Sequence, residues 1–88
     1  IDTNYVYNDL VDAEMTEVYN KALSELPERC KLIFLLAREE RMKHKEIAQA
    51  LSITEGTVEQ QMNIAIRKML DAVSRYYNVV KRRIHLLF

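Results

Sequence analysis

Polar side chains suited to reading DNA are concentrated between residues 43 and 67. Gln60 and Asn63 each carry a hydrogen-bond donor beside an acceptor, which matches the edge of adenine in the major groove. Glu59 can accept a hydrogen bond from the amino group of cytosine, and the run at residues 43–45 can contact phosphates. This combination predicts a surface that reads bases and holds the backbone of a duplex.

The full set of candidate DNA contacts is wider. Gly56 lets the main chain approach a phosphate closely, and Thr57 can offer its hydroxyl there. In chain order the candidates are Lys43, His44, Lys45, Thr54, Glu55, Gly56, Thr57, Glu59, Gln60, Gln61, Asn63 and Arg67. If Gln60 and Asn63 are ordinary surface residues, we expect the bases to be read one step around the helix, by Gln61, Ile64 and Arg67.

Two short helical patterns must position these side chains. Ile47, Ala48 and Leu51 fall on one face of the first helix. The second helix repeats apolar residues at spacings of four, three and four, at Val58, Met62, Ala65 and Met69. The pattern predicts a helix-turn-helix over residues 44–69, a device that places a helix in the DNA major groove.

The turn between these helices has its own signature. Ser-Ile-Thr at residues 52–54 supplies it, and the Thr54 hydroxyl can cap the second helix. Ala48 is small enough to let the two helices cross closely, so Val58 is expected to pack against the first helix.

Other chemistry finds little support in the sequence. Cys30 is the only cysteine, which excludes an intramolecular disulfide and a Cys-based zinc site, and we expect it to be a small buried residue. His44 and His85 are far apart and have no ligand cluster beside them. There is no Gly-rich phosphate loop and no nucleophile with a partner base. We therefore expect a protein that is not an enzyme and needs no cofactor or metal.

Length and composition favour one small all-α domain. The chain has 88 residues with a single Gly and a single Pro, which leaves little material for hairpins. It begins without Met, which suggests a fragment of a longer protein. No signal peptide is expected, and Lys81, Arg82 and Arg83 interrupt the apolar C-terminal end, so no span of a bilayer is expected. We expect a cytoplasmic protein.

The apolar periodicity divides the chain into segments. Residues 1–8 are expected to be a linker remnant, residues 9–73 the helix-turn-helix domain, and residues 74–88 a helical extension. A first helix carries an apolar face at Val11, Met15, Val18, Ala22 and Leu26. A second, at about residues 28–40, is apolar almost all round at LIFLLA and is expected to be the central core element. The result is a four-helix, winged-less domain with a long last helix.

The extension at residues 74–88 allows two interpretations. It can fold back on the first helix and complete the core. Alternatively, it is an exposed apolar and basic tail that docks on another protein or on another copy of the chain.

Charge is divided unevenly along the chain although its formal net charge is +0. Residues 1–28 hold seven acids and one base, which gives −6, and residues 29–88 hold twelve bases and six acids, which gives +6. An acidic lead-in before a basic motif fits a nucleic-acid binder, although both segments can also be solvated helix faces.

The stretch from Leu26 to about Leu70 resembles region 4 of bacterial extracytoplasmic-function (ECF) sigma factors, a group of the sigma-70 family. The resemblance is carried by LPE at 26–28, IFLL at 33–36, KEIA at 45–48, TVE at 57–59 and the ending AIRKML. It implies a domain that recognises the promoter −35 element and binds the β-flap of RNA polymerase. An anti-sigma protein is an expected further partner.

Four positions depart from the resembled family. Gly is frequent where Arg41 and Ser52 stand, at turns that favour a left-handed backbone. Ser is frequent where Lys43 stands, and Lys43 cannot accept the capping hydrogen bond, although its cation could meet a phosphate. Ile64 occupies a position that is commonly basic.

Two other functions remain open at this point. A response or quorum regulator has an output domain with the same helix-turn-helix, although the LPE lead-in favours the sigma factor. The domain could also bind polymerase or an anti-sigma protein and read no DNA by itself.

Overall fold

The computed structural model describes the backbone of residues 3–87 and the side chains of residues 13–86. The described backbone forms four α-helices and no strand: α1 (Thr3–Ser24), α2 (Glu28–Arg38), α3 (His44–Leu51) and α4 (Glu55–Leu87). The predicted all-α, four-helix domain with a long last helix is therefore confirmed. None of the described helices is long and apolar enough to cross a membrane.

Helix α1 begins earlier than its apolar pattern suggested. The backbone is helical from Thr3, so most of the predicted linker at residues 1–8 belongs to α1. No Pro or Gly in this stretch ends the helix. Of the predicted apolar face, Ala22 and Leu26 are buried, whereas Val11 lies outside the described side chains. The domain boundaries at residues 8 and 73 stay predictions.

Helix α2 buries one face instead of its whole circumference. It begins directly after Pro27 and places Cys30, Ile33 and Phe34 in the core. α2 is thus a core element, as predicted, although its apolar run is not buried throughout, since Leu32 is 45% exposed. The reason is the size of the domain: α2 contacts α3 and α4, and its outer side is left facing water.

A left-handed residue turns the chain from α2 into α3. Arg41 has a φ of 55°, the region in which a side chain with a Cβ is disfavoured. The Met42 N–H donates to the Leu36 carbonyl at 3.0 Å and closes the turn. Arg41 thus adopts a left-handed conformation that Gly reaches without strain.

The core joins the two helices of the predicted motif to α2. Ile33, Ile47 and Val58 are completely buried, and each contributes roughly 1.5–3 kcal/mol relative to an exposed side chain. The same cluster contains Ala48 and the whole predicted face of the second helix, with Met62, Ala65 and Met69. The predicted helix-turn-helix core is confirmed, and Leu51 lies half-buried at its edge.

Helix α4 continues without a break beyond the motif. Its later part runs antiparallel to α1, since Glu14 contacts Tyr76 and Arg83, whereas Glu25 lies beside Asp71. Residues 74–86 therefore do not fold back; they extend the same helix. Tyr76 and Val80 are buried, so part of the segment packs against α1 without a change of direction. Other apolar side chains of this segment are exposed, and the docking of a partner on them stays a prediction.

Candidate DNA interface

The first turn of α3 presents the basic run to solvent. Lys43, His44 and Lys45 are all exposed. The backbone N–H of Lys43 donates to Glu46 Oε1 at 2.9 Å, which is half of a capping box. The Lys43 ammonium has only donors and accepts nothing from the helix. The lysine is left available at the positive end of the helix dipole, where an anion is favoured.

The turn of the motif again uses a left-handed residue. Ser52 has φ 55° and ψ 45°. The Ile53 N–H donates to the Ala48 carbonyl at 3.0 Å, so the turn is fastened to α3. Ser52 keeps a Cβ in a conformation that Gly adopts without strain.

Thr54 caps the start of α4, as predicted. The Thr57 N–H donates to Thr54 Oγ1 at 3.1 Å, and the two hydroxyl oxygens are 2.9 Å apart. The Val58 N–H donates to the Thr54 carbonyl at 3.2 Å, the first bond of the helix. These bonds set the direction in which the first turns of α4 leave the turn.

A row of exposed residues follows the outer face of α4. Gly56, Gln60, Asn63 and Arg67 are spaced by four, three and four, which places them on one side of the helix. That side is opposite the buried face that begins at Val58. We call these four residues the outer row. Glu55 and Glu59 are exposed beside it.

Gln61 and Ile64 flank the outer row on its other side. Gln61 is half-buried, and its backbone carbonyl accepts the S–H of Cys30 at 3.4 Å. Cys30 is buried, as predicted, and burial raises the pKa of its thiol, an effect that the nearby charge of Lys68 partly offsets. Ile64 is 37% exposed. Its apolar side chain can contact a thymine methyl group but offers no charge to a phosphate.

The charge of this surface is balanced. Between residues 43 and 67 the bases are Lys43, Lys45 and Arg67, and the acids are Glu46, Glu55 and Glu59, so three of each sum to zero. Sequence-independent affinity for DNA comes from cations that neutralise phosphates. This balance limits the sequence-independent attraction of the surface for a duplex.

Metal ligands do not cluster among the described residues. No group of three or more His, Cys, Asp or Glu side chains within that part of the chain could hold a metal ion.

A family model described as "Sigma-70, region 4" matches residues 16–69. Neither the curated proteins nor the solved structures include a match. The matched residues are more than half of the chain and contain α2, α3, the capped turn and the outer row. The chain therefore belongs to the sigma-70 region 4 family, the domains with which sigma factors bind promoter DNA.

Proposed function

We propose that this domain reads the −35 element of its promoters with the outer row of α4 and brings RNA polymerase to them, as the C-terminal part of an ECF sigma factor. The observation that carries the proposal is the pairing of a Thr54-capped helix start with exposed amide side chains at Gln60 and Asn63. The capped first turn fixes the direction of α4, and the amide side chains of Gln60 and Asn63 form the hydrogen bonds with bases.

In this proposal α3 contacts the phosphates of the DNA and α4 contacts its bases. Lys43 and Lys45 bind phosphates at the start of α3 and set the register of the domain on the duplex. Gln60 and Asn63 form paired hydrogen bonds with adenines, and Glu59 accepts from cytosine. From Gly56 to Asn63 the row advances about 10 Å along the helix.

Binding of DNA depends on polymerase in this proposal. Because the charges of the surface cancel, the isolated domain is expected to bind duplexes weakly at physiological salt. Attachment to polymerase raises its effective concentration at the promoter and turns a weak contact into a selective one. Attachment to polymerase then strengthens the binding of the −35 element, and binding of the −35 element holds polymerase at the promoter.

An apolar recess on another side of α4 suits the polymerase contact. Phe34, Ile66 and Leu70 line it, and Arg38 lies at its edge, 5.9 Å from the Phe34 ring centroid. A helix from the β-flap would bury its apolar side chains there. An anti-sigma protein that covered this recess or the outer row would block initiation.

A selection from a promoter library tests the reading residues. Gln60→Ala and Asn63→Ala, each in the full-length factor with core polymerase, are expected to relax the preference at single base pairs by about 1–3 kcal/mol. Polymerase binding should be unchanged. Asn78→Ala is the matched control, because Asn78 is an exposed amide of the same helix outside the matched residues.

The alternatives give different outcomes. If both variants keep the parental preference, reading belongs to Gln61, Ile64 and Arg67. If the parent binds a β-flap fragment but shows no salt-dependent shift with duplex DNA, the domain is an interaction module without DNA reading. Failure to bind the flap would favour the output domain of a response or quorum regulator.

A further inference from the structure

Three large apolar side chains form an exposed ridge on the later part of α4. Leu70, Tyr77 and Ile84 are 61%, 64% and 39% exposed, and seven residues separate each from the next. All three lie beyond residue 69, where the family match ends. Leu70 also lines the recess proposed for polymerase, whereas Tyr77 and Ile84 lie outside it.

The spacing of the ridge is that of a helix-helix seam. A repeat of seven drifts about 20° per heptad around a straight α-helix, so the ridge winds slowly across α4. Ile66, Val73 and Val80 stand at the intervening positions of the repeat, half-buried or buried, and complete the alternating spacing of four and three. One helix crossing at about 20° can follow such a narrow seam.

The outer border of the ridge is cationic. Arg67, Ser74 and Lys81 lie beside it, also at intervals of seven, and all three are exposed. No acid occurs at these positions. In paired helices, residues that flank the apolar seam choose the partner by charge.

This border argues against a second copy and against a lipid surface. In a symmetric pair of α4 ridges, the two cationic borders would flank the same seam and oppose pairing. An anionic bilayer would attract the border but repel α1, which carries an exposed Glu17 within a segment whose net charge is −6. A single acidic helix can contact the cationic border along the ridge without approaching the acidic α1.

We propose that this ridge docks an amphipathic helix of another protein, with apolar residues in a heptad repeat and acids along the flank that faces Lys81. Two synthetic helical peptides of about three heptads test this. They share Leu in the seam and differ only in having Glu or Lys at the flanking positions. Each is titrated into the full chain by calorimetry.

The expected result is a preference for the acidic peptide by about tenfold at low salt, which decreases as salt screens the border. Tyr77→Ala and Ile84→Ala should weaken binding, and Lys81→Glu should reduce or reverse the preference. Leu86→Ala and Arg82→Glu are the controls, because both residues are exposed and neither belongs to the ridge or its border. All five changes are at surface or edge positions, and circular dichroism checks the fold of each.

Three outcomes would overturn the proposal. The first is absent binding, or equal binding of the two peptides, which removes the role of the cationic border. A dimer seen by sedimentation and abolished by Tyr77→Ala would assign the ridge to a second copy. Ridge-dependent binding to phosphatidylserine vesicles, with no preference between the peptides, would assign it to a lipid surface.

Discussion

Glu14 of α1 and Arg83 of α4 are paired although 69 residues separate them in the chain. Arg83 Nη1 donates to both carboxylate oxygens, at 3.0 and 2.8 Å, and the Tyr76 hydroxyl donates to one of them at 3.2 Å. The pair joins the acidic first segment to the basic last segment. Part of the uneven charge along the chain therefore forms an ion pair within the domain, and this pair holds the end of α4 against α1.

Arg83→Met is expected to loosen the end of α4 without unfolding the domain. Arg83 is 55% exposed, so the global free energy of unfolding should fall by less than about 1 kcal/mol. Amide hydrogen exchange in the last turns of α4 should accelerate, because those turns lose their tie to α1. Arg82→Met is the control, and equal exchange in the two variants would show that the Glu14 contact holds nothing in place.

Phe34→Ala should destabilise the domain severely. The side chain is 4% exposed within the core cluster, and its removal leaves a cavity that costs about 3–5 kcal/mol. A denaturant titration measures the loss. Leu32→Ala on the exposed face of α2 should cost less than about 1 kcal/mol, and a similar loss for both changes would contradict the observed orientation of α2.

Lys43→Ser is expected to stabilise the domain and to weaken its binding to DNA. Serine supplies the acceptor that lysine lacks and completes the capping box with Glu46, which should add about 1 kcal/mol to the free energy of unfolding. The salt slope of DNA binding should fall by about 0.9, because one phosphate contact is lost. Lys43→Ala separates the effects, since it should lower the slope without the gain in stability.

Ser52→Gly should stabilise the domain by about 0.5–1 kcal/mol. The residue has φ 55°, a region that costs a side chain with a Cβ more than it costs glycine. Thermal unfolding measures the gain. Ser52→Ala keeps the strained Cβ and should give none, so a gain in both variants would assign the effect to the hydroxyl.

Gly56→Ala separates folding from DNA binding at the start of α4. An added Cβ would meet only Thr54 Oγ1, at 3.8 Å, which is ordinary contact. Alanine should therefore stabilise the helix by up to about 1 kcal/mol. Affinity for promoter DNA should nevertheless fall if the bare backbone lies against a phosphate, and unchanged affinity would remove Gly56 from the interface.

Short-range patterns predicted the motif well because its residues act locally. The Thr54 cap and the buried face from Val58 to Met69 follow from spacing and capping preference within a few residues. The left-handed turn at Arg41 was indicated only by the family resemblance, because its own backbone preference opposes that conformation. The exposure of Leu32 could not be predicted in this way, because an apolar run does not show how few other helices will pack around it. The Glu14 and Arg83 contact was also beyond prediction, since it depends on how far α1 and α4 extend beside each other.

The roles of the reading residues could be predicted only as candidates. Exposure of Gln60 and Asn63 follows from the helical period, which is a property of the chain alone. Which bases they meet depends on the path of the duplex and on the geometry of polymerase, and neither is encoded in the spacing of side chains.

Because α4 is one unbroken helix from Glu55 to Leu87, it can act as a lever between its two ends. At about 1.5 Å per residue it is about 50 Å long, and no Gly or Pro after Gly56 provides a hinge. A tilt of about 10° at the Glu55 end would move the far end by roughly 9 Å at that length. If the first turns of α4 enter the major groove as proposed, a protein held near Ile84 would sense, or impose, their angle without touching DNA.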